Sequence, residues 1–200
     1  MSPLNDKLSD RAKRKSAKRE EKRYAIAMSS IQALRKLGYA NTSLRDIAAD
    51  AGLSLGTFHY YFEDKSELIS YCVQIYIENL VRQLLQSGLD ATTQEEIVEN
   101  VAGVLARTLV KDSQTLRIWY DIRLQSMFEE RFRPTKDDCE REFMGAIQEL
   151  VRFLEIKTHP HMVYAQIDGL FYFFMQRICE GHDYTEDFVK DAYTDLISKL

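Results

Sequence analysis

Apolar residues recur along this chain at three- and four-residue steps and nowhere alternate strictly over more than a few positions, so the pattern predicts helices and no sheet. Tyr24, Ala27, Met28, Ile31 and Leu34 form one face of a first helix, expected to stop at Gly38, a residue suited to the left-handed position after a helix end. Ser43 and, three residues on, Asp46 make a capping box that opens a short helix with Ile47, Ala48 and Ala51, closed by Gly52. Ser54 caps another short helix, Leu55 to Tyr61. Asp64 with Glu67 opens a long one whose inward positions are Leu68, Cys72, Ile75, Tyr76, Leu80 and Leu84. Two short helices joined through a glycine turn have the spacing of a helix-turn-helix, whose second helix fits the ~12 Å major groove of DNA.

Ser87-Gly88 interrupts the pattern, and Thr93 with Glu96 starts a helix containing Ile97, Val101, Val104, Leu105 and Leu109. A separate helix is expected around Leu116 to Phe128. Arg133-Pro134 breaks the chain again, so Thr135 to Glu155 reads as a new helix. His159-Pro160 precedes another, residues 161 to 180, which is apolar nearly all round and therefore expected to be buried on every side. Gly181 ends it, and Thr185 opens the last helix, with Phe188, Val189, Ala192, Tyr193, Leu196 and Ile197 as its apolar positions. The fold class is all-α: an N-terminal three-helix helix-turn-helix domain joined by a long helix to a C-terminal helical bundle. The expected division is a flexible basic arm over 1–18, the helix-turn-helix domain over 19–66 and the bundle over 67–200.

Composition narrows the class. With 200 residues, 45% of them hydrophobic, 8 Gly and 3 Pro, the chain is neither collagen-like nor largely disordered. Its longest run of large apolar residues, Leu170 to Met175, is far short of the ~20 that span a bilayer, and the basic residues near its start precede no apolar stretch. A cytoplasmic location without a membrane partner is expected, and three widely spaced cysteines fit reduced thiols. The net charge of -4 is unevenly spread: residues 1–65 carry 13 Lys+Arg against 8 Asp+Glu, net +5, which leaves −9 for the remainder. A basic head on an acidic body is the asymmetry of a chain whose head alone approaches a polyanion.

The run from Arg45 through Asp46-Ile47-Ala48, Gly52-Leu53-Ser54-Leu55-Gly56-Thr57-Phe58-His59-Tyr60-Tyr61-Phe62 and Lys65 to Leu68 resembles the signature of the tetracycline-repressor (TetR) family of transcriptional regulators. Gly38, Ile47, Ala48, Gly52, Gly56, Phe62 and Lys65 stand at that family's spacings, and the resemblance covers about residues 20 to 70. It implies a homodimer whose helix-turn-helix heads bind a palindromic double-stranded DNA operator, with a divergent body that binds a small-molecule effector, the output most often being repression. Carried over residue by residue, the DNA-facing set is Ser43, Arg45, Leu55, Gly56, Thr57, His59, Tyr60 and Lys65. Thr57 and Tyr60 are donors suited to phosphate, and Lys65 lies in a helix's first turn, where backbone N–H groups already favour an anion. Arg45 is suited either to a bidentate bond with guanine or to an ion pair with Asp46 or Asp50. Leu55 and Gly56 permit close approach or contact with a thymine methyl. His59 departs from the family's usual tyrosine, and an imidazole there either donates to phosphate or packs beneath the next helix.

Gly52-Leu53-Ser54-Leu55-Gly56 also fits G-x-S-x-G, the nucleophile elbow of hydrolases, but that elbow needs a buried strand before it, and here a capped helix precedes it. No catalytic residue, metal ligand or cofactor is assigned. The aromatic load of residues 110–180 suits a helical core or a pocket between bundle helices. Trp119, Tyr120, Arg123, Met127, Tyr164, Asp168, Phe171, Tyr172 and Met175 are the candidate ligand-binding residues. Arg123 and Asp168 are charges within apolar stretches, either paired with one another or available to a ligand. The family implies dimerisation by the last long helices, and Phe143, Ile147, Leu150, Val151, Leu154, Phe173 and Phe174 are the candidate interface. A second reading remains, a helical ligand-binding or scaffolding protein whose body serves a protein partner.

Overall fold

The computed structural model describes residues 3–200, with side chains described except at 3–12, 32–33 and 36–41. Among the described residues the chain forms eight α-helices, one short 3-10 turn and no strand. It divides into two compact units, Met1–Cys72 and Val73–Leu200.

The first unit holds α1 (Pro3–Asn41), α2 (Leu44–Asp50), α3 (Leu55–Tyr61) and the start of α4 (Lys65–Leu89). Helix α1 takes in the basic stretch read as an arm, and it runs through Gly38 to Asn41; one interior glycine costs a helix only about 1 kcal/mol. Its buried positions are Ile26, Ala27, Ser30, Ile31 and Leu34, while Tyr24 is exposed. The inward stripe is therefore rotated by one residue from the sequence expectation, with the half-buried Arg23, not Tyr24, completing it. Ser30 fits that stripe because its hydroxyl donates back to the Ile26 carbonyl at 2.7 Å. Gly52, at φ +66°, makes the turn between α2 and α3, a conformation that a side chain resists.

The second unit contains the rest of α4, then α5 (Gln94–Gln125), the 3-10 turn Glu130–Phe132, α6 (Arg133–Phe153), α7 (Pro160–Cys179) and α8 (Glu186–Ile197). Helix α5 packs against α7 and α8, and α6 against α7. Leu105, Leu109, Phe171, Phe174, Val189 and Tyr193 lie in the core they share. The two helices expected between Thr93 and Phe128 are one. The polar residues of 111–115 mask its continuity, yet Ser113 and Thr115 are buried, and no Gly or Pro stands there to break the helix. Helix α7 is not buried all round: Val163, Ile167, Phe171, Phe174 and Met175 point inward, whereas Met162, Tyr172 and Phe173 are exposed. No helix among the described residues is long and apolar enough to cross a membrane.

Candidate nucleic-acid interface and buried cavity

Local capping fixes the head. The Ser43 hydroxyl accepts from the Asp46 amide at 3.2 Å, and the Asp46 carboxylate accepts from the Ser43 amide at 3.1 Å, so α2 starts on a complete capping box. Hydrogen bonds from the Ser43 hydroxyl and amide hold the Asp46 carboxyl below its ordinary range. Ser54 accepts from the Thr57 amide at 3.1 Å; its hydroxyl is a helix cap, with no strand before it. Ile47, Ala48, Phe58 and Phe62 are buried and anchor α2 and α3 to the head's core.

Ser43, Arg45, Leu55, Gly56, Thr57, His59 and Tyr60 are all exposed, on the cap and outer face of α2 and on the outer face of α3. Tyr60 is 60% exposed and meets the Tyr61 ring edge to face at 5.0 Å. His59 neither packs beneath α4 nor stands apart: its Nδ1 lies 3.1 Å from the Glu63 carbonyl oxygen. A carbonyl only accepts, so Nδ1 carries a proton and the outward Nε2 of a neutral ring is an acceptor. Lys65 differs from the rest of the set. It begins α4 half-buried, and its Nζ donates to the Thr42 carbonyl at 2.9 Å, tying α4 to the turn before α2. Burial lowers its pKa.

Sequence reasoning missed Arg23. Its guanidinium lies over the Phe62 ring at 4.5 Å and the Tyr71 ring at 4.8 Å, donates to the Tyr61 carbonyl at 3.0 Å and pairs with Glu67 at 3.0 Å. The available signal was its spacing, four residues before Ala27 and on the same helix face.

In the second unit, a cavity of about 840 Å³, its open mouth included, lies between α4, α5, α6 and α7. Leu84, Val101, Leu105, Phe143, Ile147 and Leu150 are among its walls. Of the predicted ligand residues, Trp119, Tyr120, Tyr164, Asp168 and Phe171 line it. Arg123, Met127, Tyr172 and Met175 instead line a neighbouring open groove, which Tyr120 and Asp168 also border. Asp168 thus stands in the partition, where it accepts from the Tyr120 hydroxyl at 2.9 Å and from Arg123 Nη1 at 2.9 and 2.8 Å. The guanidinium also faces the Tyr120 ring at 5.2 Å and the Trp119 ring at 5.5 Å. Internal pairing is the arrangement these two charges adopt. The Tyr164 hydroxyl is buried and has no hydrogen-bond partner among the described residues. Burial first, then the Asp168 charge, pushes the Tyr120 and Tyr164 phenols far up, so both remain donors at neutral pH.

The predicted interface residues fare differently. Phe143, Ile147 and Leu150 line the cavity, and Phe174 is buried against Tyr184, Phe188 and Tyr193. Val151 and Leu154 are half-buried against the same core. The apolar face of α6 is consumed inside the protomer, because α5 and α7 need it to close the bundle. Phe173 alone of the set is exposed, and Met162, Tyr172 and Phe188 share that exposure.

Comparison with known proteins bears on the head first. Residues 30–72 match the model for bacterial regulatory proteins of the tetR family. Two HTH-type transcriptional regulators of Bacillus subtilis (strain 168), YerO and PksA, are 29% and 25% identical to this chain over 91 and 105 residues. Those stretches are 46% and 50% of this chain but 28% and 49% of the relatives, so the chain spans less than half the length of each. Among solved structures, the fatty acid degradation regulator FadR from Bacillus halodurans superposes with a TM-score of 0.72 at 19% identity, over 88% of this chain and 94% of that one. FadR from Bacillus subtilis, solved in complex with stearoyl-CoA, gives 0.71 at 17%, over 87% and 96%. The ketosteroid regulator KstR2 of Mycobacterium tuberculosis gives 0.63 at 15%, over 88% and 92%. At these identities the likeness is one of fold.

Proposed function

From the premise that the chain is a TetR-family transcriptional regulator, its head matching that family over residues 30–72, we propose that it is a repressor. It binds a palindromic DNA operator as a homodimer, and a small molecule held in its body releases it. The observation that carries this reading is the sidedness of the helix-turn-helix: Ile47, Ala48 and Phe58 are buried, while Arg45, Thr57, His59 and Tyr60 are exposed on the opposite side. Arg45 reads a base; Thr57 and Tyr60 contact phosphate. His59 donates to phosphate only when doubly protonated, because its Nδ1 hydrogen serves Glu63. Lys65 positions α2 through Thr42 and adds positive charge near the phosphate backbone.

The homodimer forms through the exposed side of α7 with α8, where Met162, Tyr172, Phe173 and Phe188 present apolar surface to water. Support for an effector comes from the cavity of the second unit, an apolar space between helices bordered by a few polar side chains, among them Tyr120, Tyr164 and Asp168. Effector binding favours a body conformation in which the paired heads no longer match one turn of DNA. A gel-shift titration on DNA upstream of the chain's own gene, run at several salt concentrations, tests the reading. Sequence-specific binding whose log affinity falls linearly with log salt is expected. Binding indifferent to sequence would favour the scaffolding alternative.

A further inference from the structure

Resting on the reading that the head binds DNA, we propose that α1 carries a second DNA-contact surface ahead of the helix-turn-helix. It is a stripe of Arg14, Lys15, Lys18 and Lys22 that grips phosphates beside the bases α3 meets. Placement on the helix is the first ground. At about 100° per residue, Arg14, Lys18 and Lys22 follow one another at steps of about 40°, and Lys15 falls in the same sector of about 100°. All four are exposed. The inward residues Ala27, Ser30 and Leu34 occupy a side of α1 centred about 140° away. Glu20, which accepts from the Tyr71 hydroxyl of α4, lies on that far side too. The stripe therefore turns outward, away from α4.

Unneutralised charge is the second ground. Elsewhere the chain answers surface cations within the same helix: Lys136 with Glu140, Arg141 with Asp138, Arg152 with Glu149 and Lys199 with Asp195. Among the described residues no acid pairs with any of the four stripe cations, and Glu20 is turned to Arg23 and Tyr71. Like charges four apart, as in Arg14, Lys18 and Lys22, destabilise a helix left in water. A polyanion laid along the stripe removes that cost.

Reach is the third ground. Arg14 to Lys22 spans about 12 Å of axis at 1.5 Å per residue, which matches three to four phosphates of one strand at about 3.4 Å each. The stripe also starts beside the helix-turn-helix, because Arg23, next to Lys22, donates to the carbonyl of Tyr61, the last residue of α3. An anionic membrane is a poorer partner: Ala17 is the sole apolar residue of the exposed segment 13–22, so nothing there would insert.

Binding of the full chain at several salt concentrations tests the proposal. Fluorescence anisotropy would follow a duplex that the parent selects from a random pool, and a scrambled duplex of equal length. Arg14→Gln, Lys15→Gln, Lys18→Gln and Lys22→Gln together keep good helix formers in α1. They are expected to make log affinity against log salt shallower by about 3.6 per head on both duplexes, about 0.9 for each phosphate contact. The selected sequence and the circular dichroism should stay those of the parent. Lys15→Arg, Lys18→Arg and Lys22→Arg together should keep the parental slope. So should an equal charge change in the body, Arg141→Gln, Arg152→Gln, Lys157→Gln and Lys199→Gln. A loss below about 0.9 per head in the stripe variant, or an equal loss in the body variant, would overturn the proposal. A parental slope with weakened self-association would overturn it in favour of the acidic body of a second copy. A parent that selects no sequence, yet loses slope with the stripe on the scrambled duplex, upholds the stripe and contradicts the operator reading.

Discussion

Arg23 joins α1 to α3 and α4 by several interactions at once: two ring faces, the Tyr61 carbonyl and the Glu67 carboxylate. Planarity is what allows one cation to stack and pair together, and a lysine ammonium lacks it. Arg23→Lys is therefore expected to destabilise the head nearly as much as Arg23→Ala, by about 2–3 kcal/mol, read as a lower midpoint in urea unfolding. A lysine variant of parental stability would reduce Arg23 to a surface charge. The two basic residues nearest the helix-turn-helix separate by mechanism. Arg45→Ala should relax preference at one base position, by about 1–3 kcal/mol of discrimination, in binding to a panel of operator variants. Lys65→Ala should weaken binding to every member of that panel alike and lower the melting temperature too, because the Thr42 carbonyl loses its donor. Uniform loss for Arg45→Ala would make it a phosphate contact.

At the scale of elements, caps were legible and helix continuity was not. Ser43, Ser54, Thr93 and Thr185 each cap the helix that the sequence assigned to them, since capping depends on residues within one turn. The seam of α5 was misread because a buried Ser113 and Thr115 look like surface in a hydropathy pattern; tertiary packing, not local preference, keeps them helical. The same blindness hid the cavity. Leu84, Val101 and Leu105 read as ordinary inward leucines and valines, and only the arrangement of four helices leaves space between them. Ionisation of Asp46 supplies a test of the α2 cap. Its carboxyl titrates below the unfolded value, so the capping box adds stability above about pH 4, and that contribution is lost as pH falls through the lower folded value. Asp46→Asn should remove that part of the acid dependence, measured as the difference in melting temperature between about pH 6 and pH 3. An unchanged acid dependence in the variant would show that Asp46 contributes none of it.

For the whole molecule, the net charge of -4 conceals a division between the segment 1–65 at +5 and the remainder at −9. That division accords with the proposal that the first unit alone meets a polyanion. The sequence placed the interface on α6 and α7 together, yet an amphipathic face identifies buried residues without saying whether the partner lies in the same chain or another. The exposed Met162, Tyr172, Phe173 and Phe188 are the ground for proposing α7 and α8. Phe173→Glu together with Met162→Glu is expected to convert a dimer into a folded monomer in analytical ultracentrifugation, since both residues are exposed in the protomer and a charge there falls chiefly on the association. A variant that remains dimeric would place the interface elsewhere.

In the proposed regulator, a pair of these heads reads a two-fold symmetric DNA sequence. Selection of bound fragments from a random double-stranded pool by the purified full chain tests it most directly. The expected product is an inverted repeat with half-sites about one turn, 10–10.5 base pairs, apart, lost on Arg45→Ala at one position of each half-site. Failure to enrich any sequence, or enrichment of a single asymmetric half-site, would contradict the claim.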